Sequence, residues 1–183
     1  MKLEPLAGAM EDPDEVGEQT KEVYARFGLA FYFAQVLEHG VVNALVMLDL
    51  IPNRHRQVRT VKEWEEMFDS FMSEHFERTM GRLFRDLRAV TNVPADLETL
   101  LRDALTRRNR LAHAFFRDHS ENFLSEGGRH RMIADADECR AVFVAADDRL
   151  ERVIDPLRRK AGITDQMVQD LMAKMKAEAE SAG

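Results

Sequence analysis

Apolar residues recur along the chain every three to four positions, which is typical of α-helices, and strand-like alternation is almost absent. A first helix is predicted over about 15–50, apolar around most of its circumference, with a loop after it at Pro52 and Asn53. Thr60 and Glu63 have the spacing of a capping box, in which the two side chains bond free amides at a helix start. The second helix is therefore predicted to begin there.

Three more helices follow in the pattern. The third continues through the stretch around Gly81, which is either a break or a point of close packing. Pro94 suits the first turn of the fourth helix, because proline has no amide hydrogen to lose there. A fifth, long helix is predicted over about 129–159, after the glycines of Ser125–Gly128, and Pro156 is expected to kink or end it.

Gly162 separates a tail whose apolar residues share one side of a helix: Val168, Leu171, Met172 and Met175. This pattern predicts an amphipathic helix that docks on the body of the protein or on a partner. The expected fold is all-α, an up-and-down bundle of about five main helices plus this C-terminal helix. The predicted divisions are a flexible leader over 1–14, the bundle over 15–160, and the helix with its tail over 161–183.

Composition limits the setting and the partners. The chain has 183 residues, 45% of them hydrophobic, and a net charge of -7, which opposes general binding to nucleic acid or to an anionic membrane, so any RNA contact must be local. The acidic N-terminal stretch lacks the apolar core of a secretory signal. The apolar run over 27–51 carries several polar residues, so we do not expect it to span a membrane. The lone Cys139 fits a reducing compartment, and a cytoplasmic location is predicted.

Most catalytic signatures are missing from the sequence. None of the six histidines has an acidic residue three positions before it, which excludes the Glu-x-x-His pattern of di-iron bundles. Phosphate-binding glycine loops and the spacings of zinc sites are also absent. We therefore predict no metal and no cofactor.

One arginine lies in an unexpected place. On a helix of about 100° per residue, Arg108 falls near the centre of an apolar stripe formed by Leu97, Leu101, Ala104, Leu111 and Phe115. A buried guanidinium needs either an acidic partner or a cleft. The surroundings of Arg108 are therefore the first candidate for a functional site.

The segment that holds this arginine, RNRLAH at Arg108–His113, resembles the R-x4-6-H motif of the HEPN superfamily. The resemblance implies a HEPN-like bundle with metal-independent endoribonuclease activity, in which Arg108, Asn109 and His113 are catalytic. It also implies a toxin or defence effector that acts as a homodimer, with an antitoxin or regulatory protein as a further partner. Some members have a modified tyrosine two residues after the histidine, where this chain has Phe115, so control by that route is not expected.

The residues support a composite site independently of the family. On one helix, Asn109, His113 and Arg117 would form a ridge, while Arg108 would project about 140° away from His113. Cleavage of RNA without metal needs one group to deprotonate the 2′-hydroxyl and another to protonate the leaving oxygen, and one histidine cannot do both at once. Two copies of the helix facing across a cleft would supply both groups.

The basic residues around the motif are candidates for binding the RNA backbone: Arg107, Arg110 and Arg117. Each candidate also has a structural alternative. Arg108 would pair with an acid of the first helix such as Glu38 or Asp49, Asn109 would bond a neighbouring helix, and the arginines would form a solvated face. A non-catalytic helical module that binds a partner protein or nucleotide is thus the second hypothesis.

Overall fold

A computed structural model describes residues 12–54 and 57–181, and within these ranges every regular element is helical. The predicted all-α class is therefore confirmed. The elements in chain order are α1 (Pro13–Leu45), a π-helical turn (Val46–Leu50), α2 (Ile51–Arg54), α3 (Val61–Phe76), α4 (Met80–Val90), α5 (Ala95–His113), α6 (Phe115–Asp118), a 3-10 turn (Asn122–Leu124), α7 (Glu126–Lys160) and α8 (Asp165–Ser181). Most of the predicted leader lies outside the described residues.

The first helix continues past the loop predicted at Pro52 and Asn53, so that prediction is wrong. Helical structure extends through the π-helical turn and α2 as far as Arg54. Pro52 is tolerated here because it lies in the first turn of α2, two residues after the π-helical turn, where the regular ladder of backbone hydrogen bonds is already altered. The Asn53 amide also donates to the Asp49 carboxylate at 2.9 Å, which clamps the extra turn.

The run Pro13–Arg54 is long and apolar enough, by length and composition alone, to cross a membrane. Half of its most apolar window is buried within the protein. Burial of this kind is also the property of a core helix, which is what the sequence predicts for this segment.

Threonine caps begin both α3 and α4. The Thr60 hydroxyl accepts from the Glu63 amide at 3.2 Å, as the capping-box pattern predicts. The Glu63 carboxylate accepts from the Arg59 amide at 2.7 Å, one residue before the position that a capping box uses. Helix α3 ends at Phe76, and α4 begins at Met80 after its cap, Thr79. Gly81 therefore lies inside α4 and is not the break between the two helices.

The apolar stripe predicted on α5 is confirmed. All five of its residues are buried: Leu97, Leu101, Ala104, Leu111 and, just beyond the helix end, Phe115. Pro94 lies one residue before the helix, and its carbonyl accepts the first hydrogen bond from the Glu98 amide at 2.8 Å. The stripe thus fixes which side of α5 faces solvent.

Two glycines that were expected to precede α7 lie inside its first turn. The helix begins at Glu126, three residues earlier than predicted, and it continues through Pro156 to Lys160. A side chain at Gly128 would overlap the backbone of Asn122, whereas Gly127 faces open space and an arginine tip. Close backbone approach therefore requires glycine at position 128.

The chain divides into two compact units. The first comprises Met1–Val36 with Leu100–Ala145 and contains the motif; the second comprises Leu37–Thr99 with Ala146–Gly183. Both have a buried apolar core, with Phe115 and Phe143 in the first and Phe84 and Leu150 in the second. The predicted boundaries at 14 and 160 remain predictions.

Within the second unit, a carboxylate packs against a helix backbone. Asp147 on α7 occupies the space beside Gly40 of α1, where a methyl group would collide with its Oδ1 atom. Burial, together with the nearby Glu151 and Asp148 carboxylates, raises the pKa of Asp147 from 3.8 to about 6. Folding therefore favours the protonated form of this side chain.

Asp147→Asn is expected to stabilise the protein at pH 7 but not at pH 4. The pKa of Asp147 is higher in the folded state than in the unfolded state. The neutral acid therefore contributes to the free energy of unfolding below pH 3.8, and this contribution is lost as the pH rises through 6. The gain should be about 2 kcal/mol at pH 7, with solvent screening of the half-buried carboxylate allowed for. Urea unfolding at both pH values checks this, with Asp69→Asn at an exposed position of α3 in the same unit as the control. An equal gain at both pH values would contradict it.

Candidate functional site

The motif Arg108–His113 forms the last turn and a half of α5, and His113 is its final residue. Ala114 leaves the helical path with φ −135° and ψ −19°, and α6 begins at the next residue. The Ala114 amide still donates to the Arg110 carbonyl at 2.8 Å, so the turn closes before the chain changes direction. The ridge predicted for Asn109, His113 and Arg117 therefore ends at His113, and Arg117 lies on a separate helix.

Asn109 and His113 lie on the side of α5 away from its buried stripe, whereas Arg108 lies beside the stripe. His113 and Asn109 are exposed, and Arg108 is half-buried. The Arg108 guanidinium donates to the Asn109 side-chain oxygen at 3.4 Å. The structure thus brings Arg108 and Asn109 together and leaves the His113 imidazole in contact with solvent.

Arg107 extends toward α7, the helix that carries Cys139. Its Nε donates to the Asp103 carboxylate at 3.1 Å, and its Nη1 lies 3.9 Å from the Cys139 sulfur. Burial raises the pKa of the Cys139 thiol, although Arg107 opposes the shift. Cys139 is therefore a buried neutral thiol.

Arg110 is held by acidic side chains. Its two terminal nitrogens bond the two Asp135 oxygens at 2.9 and 2.5 Å, and its Nε lies 3.5 Å from the Asp118 carboxylate. This bidentate pairing holds the pKa of Asp135 below its usual range, and a hydrogen bond from His119 adds to the effect. The guanidinium expected to bind phosphate is thus engaged within the protein.

His119 extends the Arg110–Asp135 pair into a network. Its buried ring has Nε2 at 2.6 Å from Asp135 and Nδ1 at 2.8 Å from the Asn122 amide nitrogen. Arg131 donates to the other Asn122 side-chain atom, the oxygen, at 2.9 and 3.2 Å, which fixes the orientation of that amide. The Asn122 nitrogen therefore donates to Nδ1, and Nε2 carries the proton that is donated to Asp135.

We call these five residues the Arg110 network: Arg110, His119, Asn122, Arg131 and Asp135. It joins the end of α5 to the 3-10 turn and to α7, immediately after the motif. Both ring nitrogens of His119 are bonded within the network, so these side chains hold the end of α5, the 3-10 turn and α7 together. Sequence reasoning missed His119, Asn122, Arg131 and Asp135, because nothing in their spacing marks them as neighbours.

Arg129 fixes the same region from the other side. It is 2% exposed, and its guanidinium donates to the Gln19 side chain at 2.7 Å and to the Phe123 carbonyl at 3.0 Å. A buried arginine with bonds to neutral acceptors holds α1 and the 3-10 turn in place. This residue was expected only as the start of a helix.

Arg117 differs from the other two arginines predicted to bind RNA. Its side chain is 77% exposed, and its nearest carboxylate is that of the adjacent Asp118 at 3.6 Å. An exposed ion pair of this kind contributes little to stability and exchanges partners readily. Arg117 is therefore the most accessible cation of the predicted set.

Chemically, the motif offers one exposed imidazole, that of His113, and two half-buried guanidiniums, of which that of Arg110 is paired with Asp135. Over the described residues, no group of three or more metal-ligating side chains converges. The chain matches no family model, no curated protein and no solved structure. A function for this chain is therefore inferred from the motif and its placement.

Proposed function

We propose that the protein is a metal-independent endoribonuclease of HEPN type, with a HEPN-like up-and-down bundle, that cleaves RNA as a toxin or defence effector. The observation that carries the proposal is the position of His113 at the exposed end of α5, with Arg108 and Asn109 just over one turn before it. An imidazole that transfers protons to and from RNA must be reached by the substrate. His113 meets this requirement, whereas His119 is buried with both nitrogens bonded.

In the proposed reaction, the RNA 2′-oxygen attacks the adjacent phosphorus, and the bond from phosphorus to the 5′-oxygen breaks. One His113 accepts the proton of the 2′-hydroxyl, and a second His113 donates a proton to the leaving 5′-oxygen. Arg108 stabilises the additional negative charge on the phosphate oxygens. Asn109 orients the guanidinium through the 3.4 Å hydrogen bond from Arg108.

The reaction requires two imidazoles, and each chain has one in the motif. We therefore propose a homodimer in which two α5 ends face each other across the substrate. An antitoxin or regulatory protein that covers this surface is the further partner we expect, and the proposed location is cytoplasmic.

Contacts to the RNA backbone are proposed for Arg117, Arg107 and Arg110. Arg117 is accessible as it stands, and the other two must exchange a carboxylate partner for a phosphate. Because the chain carries a net charge of -7, these contacts have to be local. Removal of Arg117 should therefore weaken RNA binding most directly.

The second candidate is a non-catalytic helical module. The Arg110 network favours it, because a bidentate ion pair joined to a buried histidine explains why part of the motif is basic without any need for RNA. Such a module would use the same surface to bind a protein or nucleotide.

Cleavage of a labelled RNA by the purified protein in excess EDTA separates the two candidates. We expect cutting to persist, because His113 and Arg108 supply proton transfer and charge stabilisation without a metal. DNA of the same sequence is the matched control and should remain intact, since it lacks the 2′-hydroxyl that attacks the phosphorus. Cleavage that needs a divalent ion, or that also cuts the DNA, would contradict this mechanism.

A further inference from the structure

The C-terminal helix α8 carries the densest group of exposed apolar side chains in the part of the chain that the structure describes. Met167, Leu171, Met172 and Met175 are 57–66% exposed, and Val168 is the single half-buried residue of the helix. Val168 and Ile163 line a cavity of about 310 Å³ in the second unit, where the helix begins. From Gln169 to Ser181 every residue is exposed, so the apolar face continues without cover.

These apolar residues form one stripe that is self-complementary. At about 100° per residue, Val168, Leu171 and Met172 lie within about 60° of Met175 around the helix. Their positions are also symmetric about a midpoint between Leu171 and Met172, so an antiparallel copy places Val168 against Met175 and Leu171 against Met172. A two-fold interface needs this property, because each surface must fit itself.

The charges beside the stripe indicate the direction of pairing. On one side Asp170 precedes Lys174, and on the other side Asp165 precedes Lys176. Each lysine also lies 3.8 Å from an exposed acid of its own helix, Glu178 or Glu180, and such exposed pairs exchange partners readily. In an antiparallel pair, each side of the stripe faces the same side of the partner helix, with the chain direction reversed. Asp170 then lies near Lys174 of the other copy, and Asp165 lies near its Lys176. In a parallel pair the two sides meet in register, which places Lys174 beside Lys176 of the other copy and brings acids together.

We propose that α8 is a self-association surface that pairs antiparallel with α8 of a second copy of this chain. The helix is about 25 Å long, which is enough for four apolar layers across the pair. Four acids against two lysines give α8 a net charge of −2, which opposes the alternative of an anionic membrane surface. The inference is independent of the nuclease proposal, since it uses none of the motif residues.

Sedimentation velocity of the full chain tests the surface. Leu171→Glu is expected to lower the mass of the assembly about twofold, because each pair would then bury two carboxylates in its apolar centre. The matched control is Ala173→Glu, which adds the same charge to the same exposed helix about 160° away from Met175. A wild-type chain that does not associate, or equal masses for both variants and wild type, would overturn the proposal.

Cysteine cross-linking tests the direction. In the antiparallel pair, Leu171 lies about 1.5 Å along the axis from its own copy, whereas Met175 lies about 10 Å away, beyond the reach of a disulfide. Under oxidation, Leu171→Cys should therefore form a covalent dimer and Met175→Cys should not. The native Cys139 is buried and does not compete. Efficient cross-linking through Met175→Cys would show a parallel pair and overturn the assignment.

Discussion

His113→Ala is expected to reduce the rate of RNA cleavage by about 10²–10⁴-fold, the usual range for loss of a general acid or base. The side chain is exposed at the end of α5, so its removal creates no cavity and leaves no buried partner unpaired. The free energy of unfolding should therefore stay within about 0.5 kcal/mol of wild type. Cleavage rate and thermal midpoint, measured on the same preparation, check both parts.

The control for this variant is His130→Ala, which removes another exposed helical histidine from the same unit. It should cut RNA at the wild-type rate. If His113→Ala also cuts at that rate, the nuclease proposal fails and the helical module takes its place. Arg108→Ala should slow cleavage, because the charge on the phosphate loses its stabilisation. It should also cause a modest loss of stability, because Arg108 is half-buried beside the stripe.

Gly128→Ala is expected to destabilise the first unit by about 3 kcal/mol. A Cβ atom there would overlap the Asn122 carbonyl oxygen and approach the Asn122 carbonyl carbon and Cα to 2.7 Å. These are backbone atoms, so the 3-10 turn would have to move as a whole. The movement would also draw the Asn122 amide away from His119, and the Arg110 network would lose a hydrogen bond.

Gly127→Ala is the control for this change, one residue earlier in the same turn of α7. Its nearest contact would be the tip of Arg131 at 3.7 Å, which is an ordinary separation. Alanine is a better helix former than glycine, so this variant should gain up to about 1 kcal/mol. Thermal unfolding of the two variants should thus give shifts of opposite sign. Similar destabilisation by both would show that the contact with Asn122 does not decide the outcome.

Features that depend on neighbours within a few turns of helix could be predicted from the amino-acid sequence. Apolar spacing located all the long helices, and it identified the stripe of α5 from Leu97 to Phe115 that is buried in the structure. The Thr60 cap was readable because a hydroxyl reaches an amide three residues ahead. The motif is also a local feature, because Arg108 and His113 are only five residues apart.

The pairing of polar groups that are distant in sequence could not be predicted, because it depends on how the helices pack. Arg110 and Asp135 are 25 residues apart, and their pairing follows from the packing of α5 against α7, which no local spacing encodes. The turn at Ala114 separated Arg117 from the ridge, because backbone direction at a helix end is set by the contacts that follow it. The same reason explains α8: periodicity predicted its apolar face, but only the fold showed that most of this face is left uncovered.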